Sequence, residues 1–403
     1  ALERRQTLDQ SAGMARAWSL ADQHRIQHDP ARLLLGEHLG DGAHSPGHLP
    51  GRAGVDEGRQ VVAQGRGAAR LHADDGDAGG DDRGEDVRGL VPTVRDDGSV
   101  GFVRRGQANC SWLIELGNGD KFIMDFGSGS QSNFTALEIP PQDVTAYFAT
   151  HLHADHVGDF AQVWVGSWAG GRVKPLVLYG PSGPEPKYGT EHFVRRQMES
   201  LVWDTETRLG LLPDAGAEVE VHEFDFTKTG TVYDRNGVVI KSFPAIHIFD
   251  GPVSYRLEWN GLCFVFSGDT TPSSFFVDNA QGADLLVHEC FNTVKQLVER
   301  SGYPEKSAIG IGTIAHTSPE ECGKVLAMVK PRLAVAYHFF NDFDTGPEVE
   351  REIRKNYDGP LALAQDLMVF NVTRKEITTR LAVTPTLVWP NKERHDEFRA
   401  ATQ

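Results

Sequence analysis

A cluster of histidines and aspartates at the end of a strand constrains this chain more than any other feature. Val144-Thr145-Ala146-Tyr147-Phe148-Ala149 reads as an apolar strand and runs straight into Thr150-His151-Leu152-His153-Ala154-Asp155-His156-Val157-Gly158-Asp159. Three imidazoles and a carboxylate therefore fall within six residues, on the loop behind the strand. Neutral imidazole nitrogen and carboxylate oxygen are donors that zinc accepts at about 2.0–2.2 Å. His151 and His153 alternate, so both can face one side, while Asp155 and His156 turn toward a second position. Histidine-rich loops also arise by chance, but four ligand-type side chains at this spacing behind a strand point to a metal-binding loop.

With 403 residues the chain can hold one large domain or two ordinary ones. Its apolar content of 39% supports a sizeable core, unevenly spread. No Phe, Tyr or Trp lies between Trp18 and Phe102, and the stretch 36–96 is about one-quarter Gly and rich in Asp and Arg. Such a segment cannot bury enough apolar surface to offset its conformational entropy. Residues 1–100 are thus expected to be a poorly ordered N-terminal segment, either a functional tail or the product of a wrong reading frame upstream of Gly106. Residues 101–380 are expected to form the folded domain, with 381–403 as a C-terminal extension.

The net charge of −16 argues against a general nucleic-acid-binding surface, because neutralising phosphates takes Lys and Arg. Cys110, Cys263, Cys290 and Cys322 are widely spaced, which suggests neither a disulfide scaffold nor a cysteine zinc site. No apolar run approaches membrane-spanning length, and the N-terminus lacks a basic-then-apolar leader. The cytoplasm is the expected location, although a first residue of Ala rather than Met leaves a removed signal open.

From Ser111 the pattern turns strongly β. Trp112–Leu116 and Lys121–Phe126 flank Gly117-Asn118-Gly119-Asp120, a hairpin signal, and Val253–Trp259 and Leu262–Ser267 flank Asn260-Gly261, another. Asp159–Trp168 reads as a short helix, and Leu176–Tyr179 as a strand. Residues 188–212 read as partly helical, with Leu201 and Trp203 in the core. Ser318-Pro319-Glu320-Glu321 is a helix start with a capping box and an early proline, and that helix should run to about Lys330 before Pro331. His247, Asp269 and His338 each follow a strand, and His316 precedes the capped helix. Each alone reads equally well as a surface histidine or a turn aspartate. Strands interleaved with helices, with polar groups at strand ends, indicate a layered α/β protein whose two β-rich halves pack face to face.

Taken in order, these residues resemble the metallo-β-lactamase superfamily and, within it, the ribonuclease Z and arylsulfatase branch, over about residues 107–380. The resemblance rests on Thr150–Asp159, Ala245-Ile246-His247, Phe266–Thr270, His288-Glu289, His316-Thr317-Ser318 and Tyr337-His338-Phe339. Gly251–Tyr255 and His338–Asp342 are also similar to ribonuclease Z-like zinc β-lactamases of metagenomic origin. It implies an α/β fold, the four-layer αββα sandwich, and two Zn2+ per chain. His151, His153 and His247 would hold the first ion, Asp155, His156 and His338 the second, and Asp269 would bridge them. A hydroxide between the metals would attack carbon, phosphorus or sulfur. Asp155, His316 and Glu289 form the catalytic set, with His316 serving the oxyanion or leaving oxygen and Glu289 orienting His316. Asp159 is expected to orient a ligand histidine rather than bind zinc.

The implied activity is a dinuclear zinc hydrolase, best described as a ribonuclease Z-like metallo-β-lactamase cleaving a β-lactam, phosphodiester or sulfate ester. An arylsulfatase-type sulfatase or lactonase is the alternative, and a non-catalytic zinc-binding scaffold is the reading from another class. A small-molecule or RNA substrate and a homodimer are the expected partners, with no membrane. Ribonuclease Z carries a Gly/Pro-rich basic arm for tRNA. In residues 181–232, Lys187, Arg195 and Arg196 are offset by Glu185, Glu191, Glu199 and Glu218, and no such arm is evident. Trp164, Trp168, Phe339, Phe340 and Phe343, near the expected mouth, would favour a small or amphipathic substrate, although such side chains are more often core. The place of the family's first strand holds Val91–Asp97, which does not match its pattern.

Overall fold

Two hairpins begin the architecture. Trp112–Glu115 and Lys121–Met124 pair antiparallel, with Trp112 opposite Met124. Val253–Trp259 and Leu262–Phe266 pair across Asn260 and Gly261, both at positive φ (49° and 71°), as a type I′ turn requires. In the computed structural model, which describes residues 87–92, 108–340 and 344–382, each hairpin leads into parallel strands.

In chain order the strands are Val87–Pro92 (β1), Trp112–Glu115 (β2), Lys121–Met124 (β3), Ala146–Phe148 (β4), Leu176–Pro181 (β5), Val219–Phe224 (β6), Gly230–Arg235 (β7), Val238–Pro244 (β8), Val253–Trp259 (β9), Leu262–Phe266 (β10), Leu285–Glu289 (β11), Leu333–Tyr337 (β12), Leu361–Leu363 (β13), Met368–Val372 (β14) and Ile377–Leu381 (β15). Among the described residues they form two sheets, ordered β15-β14-β1-β2-β3-β4-β5-β6 and β13-β12-β11-β10-β9-β8-β7. Strands β3 to β6 run parallel in the first sheet, and β10 to β13 in the second.

Side-chain alternation turns these sheets into layers, because successive residues of a strand face opposite sides. Trp112, Ile114, Phe122, Met124, Phe264, Phe266, Leu285, Val287, Val335 and Tyr337 meet in the core between the sheets. Their neighbours Leu113 and Ile123 pack on one outer face with Phe160, Trp164 and Val194 from helical segments. Val265, Leu286, Ala334 and Ala336 pack on the other with Phe276, Cys322, Leu326 and Ile353. Strands buried on both faces read as nearly continuous apolar runs, as Leu262–Phe266 does. The result is the expected four-layer αββα sandwich. Helix α1 (Pro319–Val329) shows how its outer layer is made. Cys322, Val325, Leu326 and Val329 are buried at helical spacing, and the Ser318 hydroxyl accepts the Glu321 N–H at 3.4 Å.

Several expectations change. The expected disorder of 1–100 falls outside the described residues except at β1, which fills the first-strand position between β2 and β14, with Leu90 opposite both Ile114 and Phe370. Strand pairing uses only backbone groups, so an atypical composition can still cover what would be an open edge at β2. Residues 383–403 also lie outside. Trp203 is not in the core, at 77% exposed, whereas Leu201 packs partly buried against the first sheet's outer face. The helix expected at Asp159–Trp168 is present but contains a π-helical stretch, Gln162–Gly166. No helix among the described residues is long and apolar enough to cross a membrane.

Candidate metal centre

The groups of interest leave the C-terminal ends of strands at one end of the sandwich, where open α/β sheets bind ligands. His151, His153, Asp155 and His156 follow β4, His247 follows β8, Asp269 follows β10, Glu289 ends β11 and His338 follows β12. His316 arrives on a second π-helical stretch, Gly310–Ala315. Close backbone packing makes this convergence possible. A Cβ on Gly127 would lie 2.0 Å from the Asp155 carbonyl oxygen, and Gly268, at φ 58°, lies against Thr150.

All seven residues expected as metal ligands come together, in two groups that share one carboxylate. On one side His151 Nε2 and His247 Nε2 lie 3.0 and 3.3 Å from His153 Nδ1, and each lies 3.7 Å from Asp269 Oδ2. On the other, His156 Nε2 and His338 Nε2 lie 3.3 and 3.2 Å from Asp269 Oδ1, and 3.8 and 3.7 Å from Asp155 Oδ2. The two Asp269 oxygens thus face different donor groups. Asp269 is buried, and neither oxygen receives a well-formed hydrogen bond, nor does His156 Nε2 make one. Buried polar atoms are rarely left so, and converging imidazole nitrogens and carboxylate oxygens fit divalent cations of the zinc type.

Neighbouring groups set which nitrogen of each ring points inward. Thr150 Oγ1 lies 3.0 Å from His151 Nδ1, the Ala315 carbonyl 2.7 Å from His247 Nδ1, and Asp125 Oδ2 2.8 Å from His156 Nδ1. Each is an acceptor for an Nδ1–H, which leaves the Nε2 lone pair free to ligate. Asp125, fully buried at φ 58°, also accepts the Thr150 N–H (2.7 Å) and hydroxyl (2.9 Å), so one carboxylate holds both the start of the loop and one of its histidines.

Burial holds His151 and His153 below the ordinary imidazole range and pushes His247 down to about 4, so all three stand neutral, as ligation needs. His156 goes the other way. Burial disfavours its charge, but Asp269, the Cys110 thiol, Asp155 and Asp125 outweigh that and raise it well above its usual value. Asp155 is likewise held down at about 2 despite burial, by His156 and His338. The second group therefore favours positive charge.

His316 and Glu289 also meet. Glu289 is fully buried, with Oε1 3.2 Å from His316 Nδ1 and also accepting the Thr270 N–H at 2.9 Å, while Oε2 accepts the Thr317 N–H at 3.2 Å. The His316 ring stacks on Phe291, with centroids 4.3 Å apart at 10°. Asp159 does not orient a ligand histidine. Its Oδ2 accepts from Ser130 Oγ and the Gln131 N–H, closing the start of the helix Ser130–Ala136, and Asp125 takes the expected role. Sequence reasoning missed Asp125. Its one signal is a carboxylate at a strand end before Gly127-Ser128-Gly129.

The aromatics expected at the mouth are elsewhere. Trp164, Trp168 and Phe339 are core residues, Phe340 is buried, and Phe343 lies outside the described residues. The Trp164 and Trp168 indole N–H groups donate to the carbonyls of Ala217 and Pro213, which holds them inward. A cavity of about 390 Å³ opens beside His151, His153 and His247, and its walls include Tyr188, Phe193 and Phe249. Tyr188 and Phe249 pack edge to face, centroids 5.0 Å apart, and are half exposed.

Comparison with known proteins places these features among relatives. A family model described as anti-Pycsar protein Apyc1 matches residues 98–300. A ribonuclease Z from Mycobacterium marinum is 28% identical over 269 residues, 65% of this chain and 91% of that protein. One from Mycobacterium avium is 32% identical over 187 residues, 45% of this chain and 64% of that protein. The metallo-β-lactamase fold protein YhfI from Bacillus subtilis superposes with TM-score 0.53 at 16% identity, covering 71% of this chain and all of that one. The short form of human tRNase Z superposes at 0.50 with 18% identity, covering 70% of this chain and 98% of that one. At those identities the superpositions speak to the fold.

Proposed function

From a chain that belongs to the anti-Pycsar Apyc1 family, and is a hydrolase of the ribonuclease Z-like branch of the metallo-β-lactamase superfamily, we propose a dinuclear zinc phosphodiesterase. The observation that carries this reading is the division of Asp269, with Oδ2 toward His151 and His247 and Oδ1 toward His156 and His338. A purely structural zinc needs one closed set of four ligands. Here two sets share a carboxylate, as a two-metal site requires, and the scaffold reading has no use for the second. The family description supports the proposal that this chain opposes Pycsar, and the ribonuclease Z relatives support a phosphodiester over a β-lactam or a sulfate ester.

Zinc held by these residues would supply Lewis acidity and would lower the pKa of a water toward about 7. The protein's part is to position and protonate. His151, His153 and His247 are kept neutral by burial, and Asp269 and Asp155 stay ionised. His316 presents Nδ1 to Glu289 Oε1, so its Nε2 is free to hold a proton for the departing oxygen. In the reaction one P–O bond would form to the water oxygen, whose released proton passes to solvent, the P–O bond to the leaving alkoxide would break, and the alkoxide would take the proton held on His316 Nε2.

The cavity of about 390 Å³, walled in part by Tyr188, Phe193 and Phe249, supports a small substrate with an apolar or flat group beside the phosphate. A homodimer is part of the proposal, with the exposed side chains of Trp203 and Leu211, at 77% and 82%, as the apolar surface offered to a second copy. The test is parallel assay of bis-p-nitrophenyl phosphate, p-nitrophenyl sulfate and nitrocefin with and without chelator. Chelator-sensitive hydrolysis led by the phosphodiester is expected. Preference for nitrocefin or the sulfate would overturn the substrate assignment, and no turnover with one tightly held zinc would favour the scaffold.

A further inference from the structure

Resting on the two-metal reading, we infer that Asn292 is a positioning residue for His338, acting through a closed ring of hydrogen bonds around the Phe340 peptide. His338 leaves β12 at φ 75°, in the left-handed region that residues with a Cβ seldom adopt. Such a conformation persists only where the surroundings hold it.

Asn292, fully buried, lies three residues beyond Glu289, at the end of β11. Its Oδ1 accepts the Phe340 N–H at 2.7 Å, and its Nδ2 donates to Gln296 Oε1 at 3.0 Å. Gln296 Nε2 donates to the Thr345 carbonyl at 3.1 Å, and Thr345 Oγ1 donates to the Phe340 carbonyl. The ring thus takes both the N–H and the carbonyl of Phe340, the residue two past His338. Every member is buried, so these hydrogen bonds are shielded from water.

Gln296 is fixed from a second direction. Its Oε1 accepts the Thr293 N–H and its own N–H donates to Thr293 Oγ1, both at 3.2 Å, which is the capping box of helix Val294–Glu299. A helix terminus therefore anchors the His338 loop. The corner before it also reaches the other side of the site, since Phe291 lies against both His316 (4.3 Å) and His338 (5.6 Å). Cys290 N–H donates to the Tyr337 carbonyl at 2.7 Å, joining the two strand ends. Residues that orient ligands in this way typically change metal affinity by about 10–100-fold when removed.

The test is a two-site zinc titration of the full chain against a chromophoric chelator, with the cobalt-substituted d–d spectrum as a second readout. Asn292→Ala is expected to weaken one of the two zinc sites by about 10–100-fold, leave the other unchanged, and alter the cobalt spectrum. Thr345→Val opens the ring at its far side without touching Asn292, and is expected to give the same split to a smaller degree. It decides the matter if Asn292→Ala does not fold. Variants that bind both ions as the wild type does, or that lose both in parallel, would overturn the inference. A wild-type chain that takes up one zinc would instead defeat the two-metal reading, and the inference with it.

Discussion

Asp125→Asn should damage the second ligand group by exchanging a tautomer, with little change in shape. The carboxylate accepts hydrogen bonds from the Thr150 N–H, the Thr150 hydroxyl and His156 Nδ1–H, at 2.7, 2.9 and 2.8 Å, and from the Cys110 thiol at 3.7 Å. Asparagine keeps an acceptor for the Thr150 N–H but places an NH2 where Oδ2 received the others. The cheapest repair moves the His156 proton to Nε2, so that Nδ1 accepts from the new amide. That proton then occupies the nitrogen that faces Asp269 Oδ1 at 3.3 Å, and one zinc loses a ligand. Loss of a group that orients a ligand costs about 10–100-fold in affinity, or about 1.4–2.7 kcal/mol, and here it falls on one ion of the pair. A competitive zinc titration would measure the two affinities, and nitrogen-15 imidazole shifts of the zinc-loaded protein would report which nitrogen of His156 carries the proton. Two unchanged affinities with His156 still protonated at Nδ1 would refute the reasoning.

Glu289→Gln should lower kcat for the phosphodiester by about 10–100-fold with both zincs retained, because His316 loses the carboxylate that fixes its ring; loss of metal in that variant would assign Glu289 a different role. The metal-free protein should lose stability as pH falls from 6.5 toward 4. His151, His153 and His247 are depressed on folding, while His156 and His288 are raised and stay protonated in both states below 6.5, so the unfolded chain binds more protons in that window. His247, at about 4, alone contributes about 3 kcal/mol to that loss, and urea titrations at pH 7, 5.5 and 4.5 check the sign. Trp203→Glu should leave a monomer by light scattering if the exposed apolar surface is an interface; an unaltered mass would discard that interface.

Legibility in the sequence followed the range of each interaction. The loop His151–His156 could be read directly because four donors lie within a few residues. The sandwich could be read because strands such as Leu262–Phe266 carry their two-sided burial in their composition. Asp125 could not, since what defines it is a contact with His156, 31 residues away. Asn292 is similar, for its partner Phe340 lies 48 residues on. Aromatic placement was open in the sequence. Trp164 and Trp168 fitted either the mouth or the core and are pinned inward through distant carbonyls, whereas Tyr188 and Phe249 line the cavity through packing that no local pattern encodes. Trp203 shows the same limit, because an indole on a short helical turn carries no mark of which side is covered. The atypical β1 reflects another cause: backbone pairing recruits a strand whatever its side chains.

The central claim is that Asp269 joins two metal ions. Anomalous diffraction from the zinc-loaded protein, recorded on both sides of the zinc absorption edge, tests it most directly. The account predicts two peaks, one within about 2.2 Å of Asp269 Oδ2 beside His151, His153 and His247, the other equally near Oδ1 beside Asp155, His156 and His338. A single peak, or two with Asp269 contacting only one, would contradict it.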